Sequence, residues 1–74
     1  MTDEQIAETL KRENAEYQRL SQEHRELDEW LEELSKKRYL TPEEDFEKKK
    51  KQKEKLYRKD RMAELIREYR KNNN

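Results

Sequence analysis

Cysteine and glycine are both missing from the 74 residues, and proline occurs once, at Pro42. Without cysteine there is no disulfide framework, no thiolate metal site and no thiol nucleophile, and nothing depends on an oxidising compartment. Without glycine the glycine-rich loops that cradle phosphate cannot form. Long hydrophobic runs are missing too: 28% of the residues are hydrophobic, and no stretch approaches the ~20 apolar residues of a membrane span. The opening MTDEQIAETLKREN mixes charges of both signs and has no apolar core of signal-peptide length. These absences predict a soluble, cytoplasmic protein with no membrane contact.

What is abundant is charge, at 51% of the residues, with 19 Lys and Arg balancing 19 Asp and Glu. A zero net charge gives no argument for long-range attraction to nucleic acid or membrane. The distribution is uneven, because residues 1–40 carry 7 basic and 11 acidic groups and residues 41–74 carry 12 basic and 8 acidic. The two halves complement each other. A chain of this length forms one domain and buries too little surface for a large catalytic core.

Pattern must therefore supply the order. From Thr2 to Arg38 the residues are good helix formers, with Thr2 or Asp3 able to cap the start. Ile6, Leu10, Glu13, Tyr17, Leu20, His24, Leu27, Leu31 and Leu34 follow one another at alternating steps of four and three, a heptad seam that asks for a helical partner. A second helix starts at Thr41-Pro42-Glu43-Glu44, where Thr41 caps, Pro42 occupies the first helical position and Glu44 completes a capping box. Its packing face is assigned to Leu56, Met62, Leu65, Ile66 and Tyr69. The short linker between them favours turning back. The expected fold is all-α, a single coiled-coil-like antiparallel two-helix hairpin: helix one about 3–38, turn about 39–41, helix two about 42–71 and a disordered tail at 72–74.

Tyr17, Leu20, His24, Leu27-Asp28, Leu31 and Leu34, followed by Lys55-Leu56, Lys59-Asp60 and Met62, resemble the YdcH-like family of small bacterial proteins of unknown function. The similarity covers roughly residues 17 to 66. It implies a short helical hairpin or coiled coil, and it brings no activity, substrate or cofactor with it. This chain departs from the family pattern where Lys51 and Arg58 replace leucines of the second helix and Arg61 replaces an acid.

The run EKKKKQKEKLYRK, residues 47–59, admits two readings. Successive helical residues turn by ~100°, so its lysines spread around the helix, and some must face helix one. Folding about Leu40 sets Lys48 near Glu32 and Glu33, Lys51 near Asp28 and Glu29, and Arg58 near Glu23. Local acid-before-base pairs four residues apart are also expected: Glu8 with Arg12, Glu32 with Lys36, Glu33 with Lys37, Glu44 with Lys48, Asp45 with Lys49, Glu47 with Lys51 and Glu54 with Arg58. On this reading the run is a solvated helix that balances neighbouring acids. The alternative is phosphate binding by Lys48, Lys49, Lys50, Lys51, Lys53, Lys55, Arg58, Lys59 and Arg61, opposed only by Glu54 and Asp60. Tyr57 is the only aromatic within it, so such binding would be weak, salt-sensitive and indifferent to sequence.

His24 and Asp28, one helical turn apart, could share a metal ion, but with no second histidine or cysteine the pair is expected to serve the seam, fixing register or oligomer state. Nineteen carboxylates produce catalytic-looking spacings by number alone, and Ser21 and Ser35 have no nucleophile motif around them. No catalytic residue, cofactor, metal site or small-molecule substrate is expected. Trp30, Tyr39, Leu40 and Phe46 gather near the turn, and Tyr17, Met62, Leu65, Ile66 and Tyr69 near the open end; they are expected to be core, and because two helices alone bury little, apolar residues left over at both ends suit pairing with another copy or a larger partner. The function expected is a non-catalytic interaction or scaffold module with a protein partner or as a homodimer, with weak nucleic-acid binding as the competing reading.

Overall fold

The computed structural model describes residues 1–72. Its elements are three helices, α1 (Asp3–Glu13), α2 (Ala15–Ser35) and α3 (Pro42–Asn72), so the expected all-α class holds while the two-helix hairpin does not.

The first helix starts on a capping box. Thr2 Oγ1 accepts from the Gln5 amide at 3.2 Å, and Gln5 Oε1 accepts from the Thr2 amide at 2.9 Å. Asp3 and Glu4 in the first turn and Lys11 and Arg12 in the last complement the helix dipole.

The expected long first helix breaks at Asn14, whose backbone is extended (φ −116°, ψ 112°). Asparagine competes for backbone hydrogen bonds and favours helix starts over interiors. Here it serves two helices at once: its amide donates to Leu10 O at 2.9 Å and closes α1, while its Oδ1 accepts from the Tyr17 amide at 2.8 Å and opens α2. Gln18 Nε2 ties the corner by donating to Lys11 O at 2.7 Å. The heptad seam runs straight across this break, so periodicity alone did not reveal it.

Helix α2 ends at Ser35 rather than near 38, with Lys36 as its cap, so the connection to α3 spans residues 36–41. The Thr41 capping box forms as expected: the Glu44 amide donates to Thr41 Oγ1 at 3.1 Å and the Thr41 amide to Glu44 Oε1 at 3.0 Å. Pro42 is the first residue of α3. Asn72, expected in a disordered tail, is its last helical residue, and positions 73 and 74 lie outside the described residues.

Helices α2 and α3 run antiparallel, pinned by Glu16–Arg61, Glu23–Arg58 and Asp28–Lys55. The molecule measures 49 × 19 × 16 Å. Instead of extending α2, α1 packs on the open end of this pair. Ile6, Leu10, Tyr17, Leu20 and Leu65 form one buried cluster, with Ala7, Met62, Ile66 and Tyr69 packed against it. Arg70 draws the beginning of the chain onto α3 through Asp3 and the Met1 carbonyl.

Toward the turn the packing thins. Leu34 is buried, but Leu27, Leu31 and His24 are half-buried. Leu56, expected on the packing face, is 57% exposed and is corrected to a surface residue. The heptad position that faces α2 falls instead on Lys51, Arg58 and Leu65, so two of three such positions are cations, both half-buried.

Candidate interaction surface and the lysine run

Five of the nine cations expected to offer a phosphate site are engaged by carboxylates. Arg61 is the most committed: its Nε and Nη2 grip Glu16 at 2.9 and 3.1 Å, and its Nη1 reaches Glu64 at 2.9 Å and Glu68 at 3.6 Å. A bidentate guanidinium pair of this kind is directional as well as charged. It holds the Glu16 carboxyl below its ordinary value, chiefly through the hydrogen bond, and pushes the Arg61 guanidinium further up.

Arg58 meets Glu23 at 3.3 Å, as the folding register predicts, and its Nη1 donates to the Glu54 carbonyl at 3.1 Å. Lys51 does not reach Asp28 or Glu29, because Lys55, one turn further along α3, takes Asp28. Lys51 pairs with Glu54 at 3.6 Å on its own helix and lies 5.9 Å from the centre of the Trp30 ring. Lys49 pairs with Asp45 at 3.1 Å, the one ion pair formed among the local pairs expected from spacing, counted over the described residues. Elsewhere three-residue and cross-turn pairs win: Lys36 with Glu33, and Lys37 with Glu44.

Lys48, Lys50, Lys53 and Lys59 form no ion pair or hydrogen bond among the described residues. They are what remains of the phosphate reading. The expected opposition of Lys48 to Glu32 survives only as a shared groove, which both line without touching.

His24 is half-buried. Burial is the largest cause lowering its pKa, Lys55 and Lys59 add to the lowering, and Asp28 opposes it. The Asp28 carboxylate is held below its ordinary value chiefly by its hydrogen bond to Lys55 and the charge of that lysine, with a smaller contribution in the same direction from His24. No group of three or more His, Cys, Asp or Glu side chains gathers at a metal-binding distance among the described residues. No helix among them is long and apolar enough to cross a membrane.

Two grooves flank the α2/α3 pair in its turn half. One, of about 650 Å³, has Leu31 and Leu56 among its lining, with Lys48, Lys55 and Lys59 contributed by α3 and Asp28 and Glu32 by α2. The other, of about 490 Å³, is lined by Trp30 and Leu34 with Glu33, Glu43, Glu44 and Glu47 around them and Lys37 as the one cation. The lining residues of α2 sit at helical angles roughly 160° apart between the two sets, so the grooves open on opposite sides. One side is lysine-rimmed and the other glutamate-rimmed. Near the turn Phe46 and Tyr39 stand 67% and 80% exposed, so the core position expected of them does not hold, and Tyr57, 70% exposed, lines a depression with Glu16, Arg19 and Leu20.

Sequence reasoning brought together the seam residues of the open end, the Arg58–Glu23 pair and Lys48 with Glu32, but it did not single out Gln52 and Ser35 as groove residues. Their signal was available only through the pairing of the two helices. Comparison with family models, with curated proteins and with solved structures finds no match.

Proposed function

We propose that this protein is a non-catalytic helical interaction module of the cytoplasm that pairs the apolar surface of its turn half with another protein or a second copy of itself. The observation that carries the reading is the exposure of Trp30, Phe46 and Leu56, at 38%, 67% and 57%, on a part of the molecule held by only two helices. Trp30 lies on the glutamate-rimmed side and Leu56 on the lysine-rimmed side, so apolar surface of the kind a partner covers is offered on both faces of this half. The motif residues running from Tyr17 to Met62 support a further proposal, that the chain is a YdcH-like protein.

Sedimentation across a wide concentration range, repeated with Phe46→Glu, tests for self-association, and capture from cytoplasm with and without nuclease tests for other partners. Association that survives nuclease and is lost in Phe46→Glu supports the module. Its absence in both assays removes it.

A second reading, weak phosphate-backbone binding, is favoured by the four lysines without a carboxylate partner among the described residues. It predicts measurable affinity for a short duplex at low salt that falls steeply at moderate salt. No binding at low salt eliminates it.

A further inference from the structure

We propose that the lysine-rimmed groove between α2 and α3 docks an acidic amphipathic helix of a protein partner. This inference rests on the interaction-module reading and adds the surface and the chemistry of its occupant.

The molecule itself displays the mode of occupancy. At the open end the same helix pair is completed by α1, an 11-residue helix that presents Ile6 and Leu10 four residues apart. The groove lined by Leu31 and Leu56 continues toward that end: the adjoining depression is lined by Tyr17, His24, Met62 and Ile66 and shares Lys55 and Lys59 with it. Tyr17, Met62 and Ile66 belong to the cluster that α1 closes. From Lys48 to Lys59 the helix rises ~16 Å, the length of an 11-residue helix such as α1. A third helix of that size would complete the turn half as α1 completes the open half.

The rim selects the charge of the occupant. Lys48, Lys55 and Lys59 fall within ~40° of one another around α3 and form a single stripe. Lys55 is shared with Asp28, while Lys48 and Lys59 have no carboxylate partner among the described residues. Glutamates flanking the apolar face of an incoming helix would meet that stripe, and leucines on that face would cover Leu31 and Leu56. Two copies docked groove to groove with α3 against α3 would set lysine stripe against lysine stripe, which opposes that arrangement. A nucleic acid fits it poorly, because no aromatic ring lines it for a base to stack on, while Leu31 and Leu56 offer apolar surface.

The test uses the ¹⁵N-labelled 74-residue chain and two synthetic helical peptides of about 14 residues. Both carry leucines at i, i+4 and i+7; one has glutamates on its flanks and its twin has lysines. The expected result is saturable amide shifts at Leu31, Gln52, Leu56 and Lys59 with the acidic peptide, at an affinity at least about tenfold above that of the basic twin. Leu56→Glu abolishes the binding and Lys59→Glu reduces the preference, both at unchanged melting temperature because Leu56 and Lys59 are exposed. No saturable shift, equal binding of the two peptides, or a response of the same amides only to a short DNA duplex would overturn the inference. Such a failure combined with nuclease-resistant association lost in Phe46→Glu would leave the interaction module standing and reject this groove alone.

Discussion

The open end and the turn half of the molecule use the same two helices and reach different degrees of order. At the open end α1 supplies Ile6 and Leu10, and five side chains become a buried cluster with exposures of 2–6%. In the turn half nothing plays that part, and Leu34 is the one buried apolar residue there. Two helices share a single seam, so each apolar side chain is covered on one flank and wet on the other. A third helix covers the second flank. Lys51 and Arg58 on the inner face of α3 deepen the contrast, since each keeps its charged head toward a carboxylate instead of filling space between the helices.

The largest effect that separates the two regions is expected from core truncation. Leu10→Ala removes a side chain at 5% exposure from the three-helix cluster, and urea denaturation should register a loss of about 2 to 4 kcal/mol. Leu31→Ala, half-buried in the turn half, should cost under about 1.5 kcal/mol. Equal costs at the two positions would abolish the distinction.

A smaller change sharpens it. Asn14→Ala removes the acceptor that opens α2 and should lower stability by about 1 kcal/mol. Helical circular dichroism should hold or rise, because alanine lets α1 and α2 run together. A stability gain would mean that the corner is not what docks α1.

The smallest effect is the response to acid. His24 is held below its ordinary value of 6.5, so in the interval beneath that value the unfolded chain binds the proton and the folded chain does not. Stability therefore falls as pH drops from about 6.5 to the folded pKa. Asp28 and Glu16 are also depressed, from 3.8 and 4.5. Their contributions are fully present above those values and disappear as pH falls through the folded ones. All three act in the same direction. Melting at about pH 7, 5 and 3 should show two successive losses, and His24→Leu should remove the first. If His24→Leu also leaves oligomer size and melting at neutral pH unchanged, the imidazole has no role in register.

Much of this architecture could be read from residue pattern. Thr41-Pro42-Glu43-Glu44 announced the start of α3 because a cap, a proline and a reaching glutamate act locally. The antiparallel register, and with it Arg58 opposite Glu23, followed from a short linker and opposed charge halves. Asn14 was hidden because the seam continues through it with Glu13 in register and every neighbour is a good helix former; the bend is decided by what Ile6 and Leu10 gain against Tyr17 and Leu65, a tertiary effect. Leu56 was misplaced because an apolar residue was assumed to face inward, whereas the steps of seven from Leu65 lead to Arg58 and Lys51. The grooves were not readable at all, since their walls come from residues brought together only when α2 and α3 pair.

The central claim is that α1 folds back and completes one half of the molecule while the other half remains a two-helix surface. Amide hydrogen exchange on the 74-residue chain tests it directly. The account predicts strong protection for Ile6 to Leu10, Tyr17 to Leu20 and Met62 to Ile66, and markedly weaker protection from Leu27 to Leu34 and from Phe46 to Leu56. Exchange in α1 as fast as in a free peptide, or protection that is uniform along α2 and α3, would contradict it.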